Sequence, residues 1–155
     1  MLSNRKPRRG FSLIELLIVI SIILIIITIA VPKFRSAQNT ARETAAIQAL
    51  RAIHTAQVEY QSQYGRYAAT LTELGPPASG APSMSAADLI GNDVSGGEKQ
   101  GYKFTVTALQ GGYAISAVPV SCGNSGNRTF YSDQTMTVHF GTCPEPATAQ
   151  SPELK

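Results

Sequence analysis

The chain has 155 residues, 13 Lys/Arg against 10 Asp/Glu, a formal net charge of +3, two cysteines and two histidines. Four of the cations, Arg5, Lys6, Arg8 and Arg9, fall in the first ten residues, and without them nine basic residues face ten acidic ones, a formal −1. The basic balance is therefore a property of the amino terminus and not the footprint of a nucleic-acid partner.

In chain order, the basic leader ends at Gly10 and an apolar run begins at Phe11. From Leu16 to Val31 only Ser21 and Thr28 are polar. With Phe11 to Ile14 the run reaches the ~20 residues needed to cross a bilayer. Four cations precede it and two follow closely, Lys33 and Arg35, which predicts a cytoplasmic N-terminus. Glu15 is the anomaly, because a carboxylate in a membrane segment costs on the order of 2.5–3.5 kcal/mol and marks a functional position. The leader is not patterned as a secretory signal, which would be cut after its apolar region. Here the small residue, Gly10, lies before that region, and a cut there leaves the apolar helix on the mature chain with Phe11 first.

These residues resemble one family: Gly10-Phe11-Ser12-Leu13-Ile14-Glu15-Leu16 is similar to the processing site of type IV pilins and pseudopilins. The resemblance implies that a prepilin peptidase cuts between Gly10 and Phe11 and methylates the new Phe11 amine. It further implies that Glu15 pairs with the Phe11 amine of a neighbouring subunit during assembly, where a contact with its own amine is the simpler alternative.

Pro32 lacks the N–H that would bond Thr28, so it is expected to kink or weaken the helix without ending it. In the family a proline here marks a segment able to unwind. Lys33 to about Tyr64 is rich in Ala, Gln and Arg and free of Gly and Pro, which favours continued helix. Phe34, Ala37, Ala41, Ala45, Ala49, Ala52 and Ala56 recur at three- and four-residue spacing, beside a bulkier face of Leu50, Ile53, Tyr60 and Tyr64. Either the alanines admit a second helix while the large residues hold a sheet, or both stripes serve one core. Gly65 stops the helix, and a short helical turn follows at Thr70 to Leu74. The stretch from Ala56 to Tyr67 also looks like the helix end of pilins and major pseudopilins, more loosely than the processing motif.

Residues 75–100 form a Gly/Pro/Ser-rich loop with a helical turn expected near Ser85 to Asp88, and a loop this long is commonly functional. In pilins the corresponding stretch is exposed and variable. Asn92 to Glu98 does not reproduce an ordered calcium array, so no metal or cofactor is expected. Strands follow. Tyr102 to Thr107 alternates Tyr102, Phe104 and Val106 inward; Gln110, Gly111 and Gly112 turn; Tyr113 to Val118 returns and Pro119 closes it. Arg128 to Tyr131 and Met136 to Phe140 form a second hairpin about Ser132 to Gln134, with Met136, Val138 and Phe140 inward and His139 outward.

Cys122 and Cys143 lie beyond the membrane segment, where an oxidising compartment favours a disulfide worth roughly 3 kcal/mol. Metal ligation and a reactive thiol are the competing readings, and no CxxC or His–Cys cluster supports zinc. Pro144 to Lys155 reads as a frayed tail. His54 and His139 read as packing or surface residues, and no GxSxG, HExxH, phosphate loop or CxxCH is present. An enzyme is not expected.

The expected architecture is α+β: a long helix, transmembrane in its first half, against a four-stranded antiparallel sheet. The segments are a cleaved leader, 1–10; the transmembrane and assembly half of the helix, 11–32; its second half, 33–64; a head, 65–143; and a tail, 144–155. The resemblance implies a structural subunit of a type IV pilus, with a pseudopilin of a type II secretion system as the alternative. An adhesin or DNA-uptake pilin lacks the aromatic–basic stripe that would support it. Implied partners are the prepilin peptidase, identical or related pilin subunits, inner-membrane assembly machinery, and the bilayer before assembly. The implied location is the inner membrane first, then an extracellular or periplasmic filament.

Overall fold

The computed structural model describes residues 10–154. The chain divides into two compact units, one up to Ser36 and one from Ala37 onward. Helix α1, Leu13–Tyr64, runs through both without interruption. It ends where Gly65 takes a left-handed φ of 74° while its N–H donates to Gln61 O at 2.8 Å, a conformation a residue with a Cβ adopts only with strain. Two one-turn helices follow, α2 (Leu71–Leu74) and α3 (Asn92–Ser95), then strands β1 (Glu98–Lys99), β2 (Tyr102–Leu109), β3 (Gly112–Pro119), β4 (Arg128–Asp133) and β5 (Val138–Thr142).

The strands form one antiparallel sheet in the order β1-β2-β3-β4-β5. It has five strands and not the expected four, because Glu98 and Lys99 pair with Lys103 and Tyr102. A two-residue strand carries too little alternation to be read from a sequence. The alternation expected on β2 is present: Tyr102, Phe104 and Val106 are buried while Lys103, Thr105 and Thr107 are exposed. Register aligns Phe104 with Ala117 and Ala117 with Phe130. These residues and Ile115 meet Leu50, Ile53 and Tyr60 of α1 in one core cluster.

The face of α1 that enters the core runs through Asn39, Glu43, Ala46, Leu50, Ile53, Gln57 and Tyr60, three- and four-residue steps that keep it on one side of the helix. The expected alanine stripe is divided. Ala49 and Ala56 are buried, Ala45 is half-buried, and Ala37, Ala41, Ala52 and Phe34 are exposed. The stripe lies beside the core face, so the alanines turned toward Ala46, Leu50 and Ile53 are covered and those turned further round the helix are not.

Three further expectations are corrected. The segment near Ser85 to Asp88 is not helical: Ser83 and Ala86 bridge each other, and the helical turn is α3. Met136 does not point inward. It occupies the β4–β5 turn at φ 62° and is 53% exposed, because β4 extends to Asp133 and the turn shifts with it. The C-terminal residues are not frayed: Phe140 N–H donates to Pro152 O at 2.9 Å, Leu154 N–H donates to Val138 O at 2.7 Å, and Ala147 is buried. The segment thus covers the backbone edge of β5, which would otherwise be open.

Candidate processing and assembly site

Gly10, Phe11 and Ser12 precede the helix in non-helical backbone, and Leu16 N–H donates to Ser12 O at 3.2 Å where the helix begins. A methyl group placed on Gly10 would meet no atom within 4 Å, and Phe11 is 83% exposed. Among the described residues nothing covers the Gly10–Phe11 junction. The leader cations lie outside the described residues.

Glu15 occupies the first turn of α1, where the unpaired N–H groups of a helix start favour a negative charge. It forms no ion pair among the described residues. From Phe11 to Phe34 the large apolar side chains are exposed throughout, uncovered by any of the described residues. The two polar side chains of the run serve their own helix: Ser21 Oγ donates to Leu17 O at 2.8 Å and Thr28 Oγ1 to Ile25 O at 2.7 Å. That removes both hydroxyls from competition for water and suits a helix surrounded by lipid or other helices. By length and composition α1 is apolar enough to cross a membrane. Pro32 lies inside it and leaves the Thr28 carbonyl without its usual N–H donor.

The head holds its own polar contacts, which the sequence did not disclose. The Glu43 carboxylate, only 7% exposed, accepts from Asn127 N–H at 2.9 Å and from Arg128 Nε at 2.8 Å. Asn39 Nδ2 donates to Gly123 O at 2.7 Å, and Arg42 donates to Asn124 O. One stretch of α1 thus grips the loop between β3 and β4. Cys122 in that loop is bridged to Cys143 just after β5, with Cα atoms 5.9 Å apart. The only available signal was that Asn39 and Glu43 fall in register with Ala46 and Leu50 on the core face.

His54 is buried beneath the β4–β5 turn. Its Nδ1 lies 2.7 Å from Tyr113 Oη and its Nε2 lies 2.7 Å from Ser132 Oγ. Ser132 Oγ donates its single proton to Thr137 O, so it accepts from His54 Nε2–H, and Nδ1 must accept from the Tyr113 hydroxyl. The relay is complete with a neutral imidazole. Burial lowers the His54 pKa against a smaller opposing pull from Asp133, and burial pushes the Tyr113 phenol up to about 12. The expected packing role is what this geometry serves, since the imidazole locks a turn and has no free nitrogen. His139 is half-buried on β5, its Nδ1 2.7 Å from Ser151 O.

A family model described as the prokaryotic N-terminal methylation motif matches residues 5–31, the junction and apolar run described above. The type IV major pilin protein PilA of Myxococcus xanthus (strain DK1622) is 42% identical over 74 residues. The match covers 47% of this chain and 34% of that protein, so the chain spans about a third of its relative's length. No solved structure matches it significantly. With the methylation motif on an exposed glycine junction, the chain is similar over about half of its length to a type IV major pilin.

Proposed function

We propose that this chain is a subunit of a type IV pilus filament, cut between Gly10 and Phe11 by a prepilin peptidase and methylated on the Phe11 amine. The observation that carries the reading is the uncovered apolar surface from Phe11 to Phe34 with one carboxylate, Glu15, in its first turn. The processed chain rests in the inner membrane with its N-terminus cytoplasmic, and assembly exchanges lipid contacts for contacts with other copies. Apolar surface stays away from water in both states. Glu15 answers the positive charge that cleavage creates on the Phe11 amine of a neighbour, because a lone carboxylate in a dry filament core is costly. Pro32 supplies a local weak point at which α1 adjusts to its neighbours. The name of the relative, a type IV major pilin, favours a pilus over a secretion pseudopilus.

The test is N-terminal and intact-mass analysis of the mature chain beside filament recovery from a Glu15→Ala variant. The expected result is a methylated Phe11 terminus in both proteins, with filaments greatly reduced in the variant. An N-terminus inside or beyond the apolar run refutes the processing. Undiminished filaments from cleaved Glu15→Ala protein refute the role of Glu15.

A further inference from the structure

β5 is the last strand of the sheet, and the segment that follows it returns to lie along its outer edge. Its path allows close approach. Thr129 Oγ1 donates to Glu145 O at 2.8 Å, and the chain then passes over Gly141, where a Cβ would stand 3.4 Å from Ala147 Cα and 2.9 Å from Thr129 Oγ1. A turn closed by Ser151 N–H to Thr148 O at 3.0 Å and by Thr148 N–H to Ser151 Oγ at 3.0 Å sends residues 151–154 back antiparallel to β5. They bridge it at His139 and Glu153.

Two backbone bonds hold this pairing, Phe140 N–H to Pro152 O at 2.9 Å and Leu154 N–H to Val138 O at 2.7 Å. They flank the His139–Glu153 bridge, so Glu153 directs its own N–H and C=O away from β5. Pro152 has no N–H to return to Phe140 O. The same edge of β5 presents a donor, Phe140 N–H, and an acceptor, Val138 O, one residue to either side of His139. A two-fold axis beside His139 brings the donor of one copy to the acceptor of the other, and the reverse, in the register that residues 151–154 now use. Val138 N–H and Phe140 O then pair as well, so two β5 edges exchange four bonds where the segment makes two. An uncovered β5 is complementary to itself.

We infer that residues 151–154 are a guard that keeps β5 of a second copy from pairing with this β5 about His139. The guard makes fewer bonds and prevails because it is tethered beside the edge, at an effective concentration on the order of millimolar. With the guard lifted, the contact is isologous and closes as a dimer. The guard concerns the head alone and stands whether or not the chain forms filaments.

The test uses the chain with its membrane segment, in detergent solution, and lifts the guard in two ways. Ending the chain at Gln150 removes both partner groups, and Leu154→Pro removes the N–H that bonds Val138 O. Glu153→Pro is the control, because the N–H it removes faces away from β5. At high protein concentration both guard variants should show about twice the protein mass per particle of the unaltered chain. Dilution should return them to that mass and raise amide exchange at Phe140 at least tenfold. In the unaltered chain and in Glu153→Pro, mass and Phe140 exchange should not change with concentration. Guard variants that keep the unaltered mass at every concentration, that grow beyond a doubling, or that associate without concentration-dependent protection of Phe140 overturn the inference. Loss of the near-UV circular dichroism of the buried tyrosines in both variants also overturns it, since the segment is then part of the fold and no guard.

Discussion

Removing the Glu43 carboxylate tests how the head is fastened to its helix. Glu43→Ala takes away two charge-assisted hydrogen bonds, to Asn127 N–H and Arg128 Nε. Such bonds contribute up to about 1.5–3 kcal/mol each when both partners are sheltered. Here the Arg128 side chain is 35% exposed and residue 127 is exposed, so water replaces much of what either donor loses. The net cost comes to about 2 kcal/mol for the pair of bonds. In a head of roughly 120 residues that lowers the melting temperature by about 8 °C. Near-UV circular dichroism of the detergent-solubilised chain reads it, since Tyr60, Tyr102 and Tyr113 are buried in the core and a helix that stays folded in the micelle is silent there. Arg128→Ala should cost more, because its guanidinium also lies 5.6 and 5.7 Å from the Phe130 and Phe140 ring centres. A double-mutant cycle should isolate a coupling of about 1 kcal/mol. A loss no larger than that of the exposed Glu98→Ala, with no coupling to Arg128, would refute the fastening.

Reduction of the Cys122–Cys143 bridge should destabilise the head by about 3 kcal/mol, and non-reducing peptide mapping of envelope material should find the two linked; free thiols there count against it. Gly126→Ala should cost about 2 kcal/mol through overpacking, because a Cβ there comes within 2.7 Å of Tyr102 Cζ and the Tyr102 hydroxyl is tied to Arg128 O. Tyr102→Phe in the same chain should recover part of that loss, and an unchanged denaturation midpoint for Gly126→Ala alone contradicts the contact. Because the folded state lowers the His54 pKa below 6.5, the unfolded chain binds more protons in that window and stability rises with pH there. Denaturant midpoints should therefore fall as pH drops below about 6.5 and level off once the folded imidazole charges, with a flatter profile for His54→Gln; equal slopes would remove His54 as the cause.

The two units differ in how much of them the order of residues determines. In the first unit, Gly10, Phe11, Glu15 and the apolar run form a local pattern, which on the function proposed above a peptidase and a bilayer read in sequence. Among the described residues nothing folds back to cover these side chains, so the exposed helix with Glu15 in its first turn follows from composition and spacing. The strands β2 and β3 are legible for a similar reason, since one face meets the core and the other meets water, which enforces alternation. The β4–β5 turn is not. Its position depends on where β4 stops pairing with β3, and a two-residue extension to Asp133 carries Met136 from the core to the surface. Asn39, Glu43 and His54 looked like ordinary helix residues among alanines. Their partners, Gly123, Asn127, Arg128, Tyr113 and Ser132, lie roughly 60 to 85 positions further along the chain. Whether a polar side chain is buried, paired or neutral is decided by which distant backbone arrives beside it. That depends on sheet register and on the Cys122–Cys143 closure, so the fastening of the head exists only once the tertiary structure has formed.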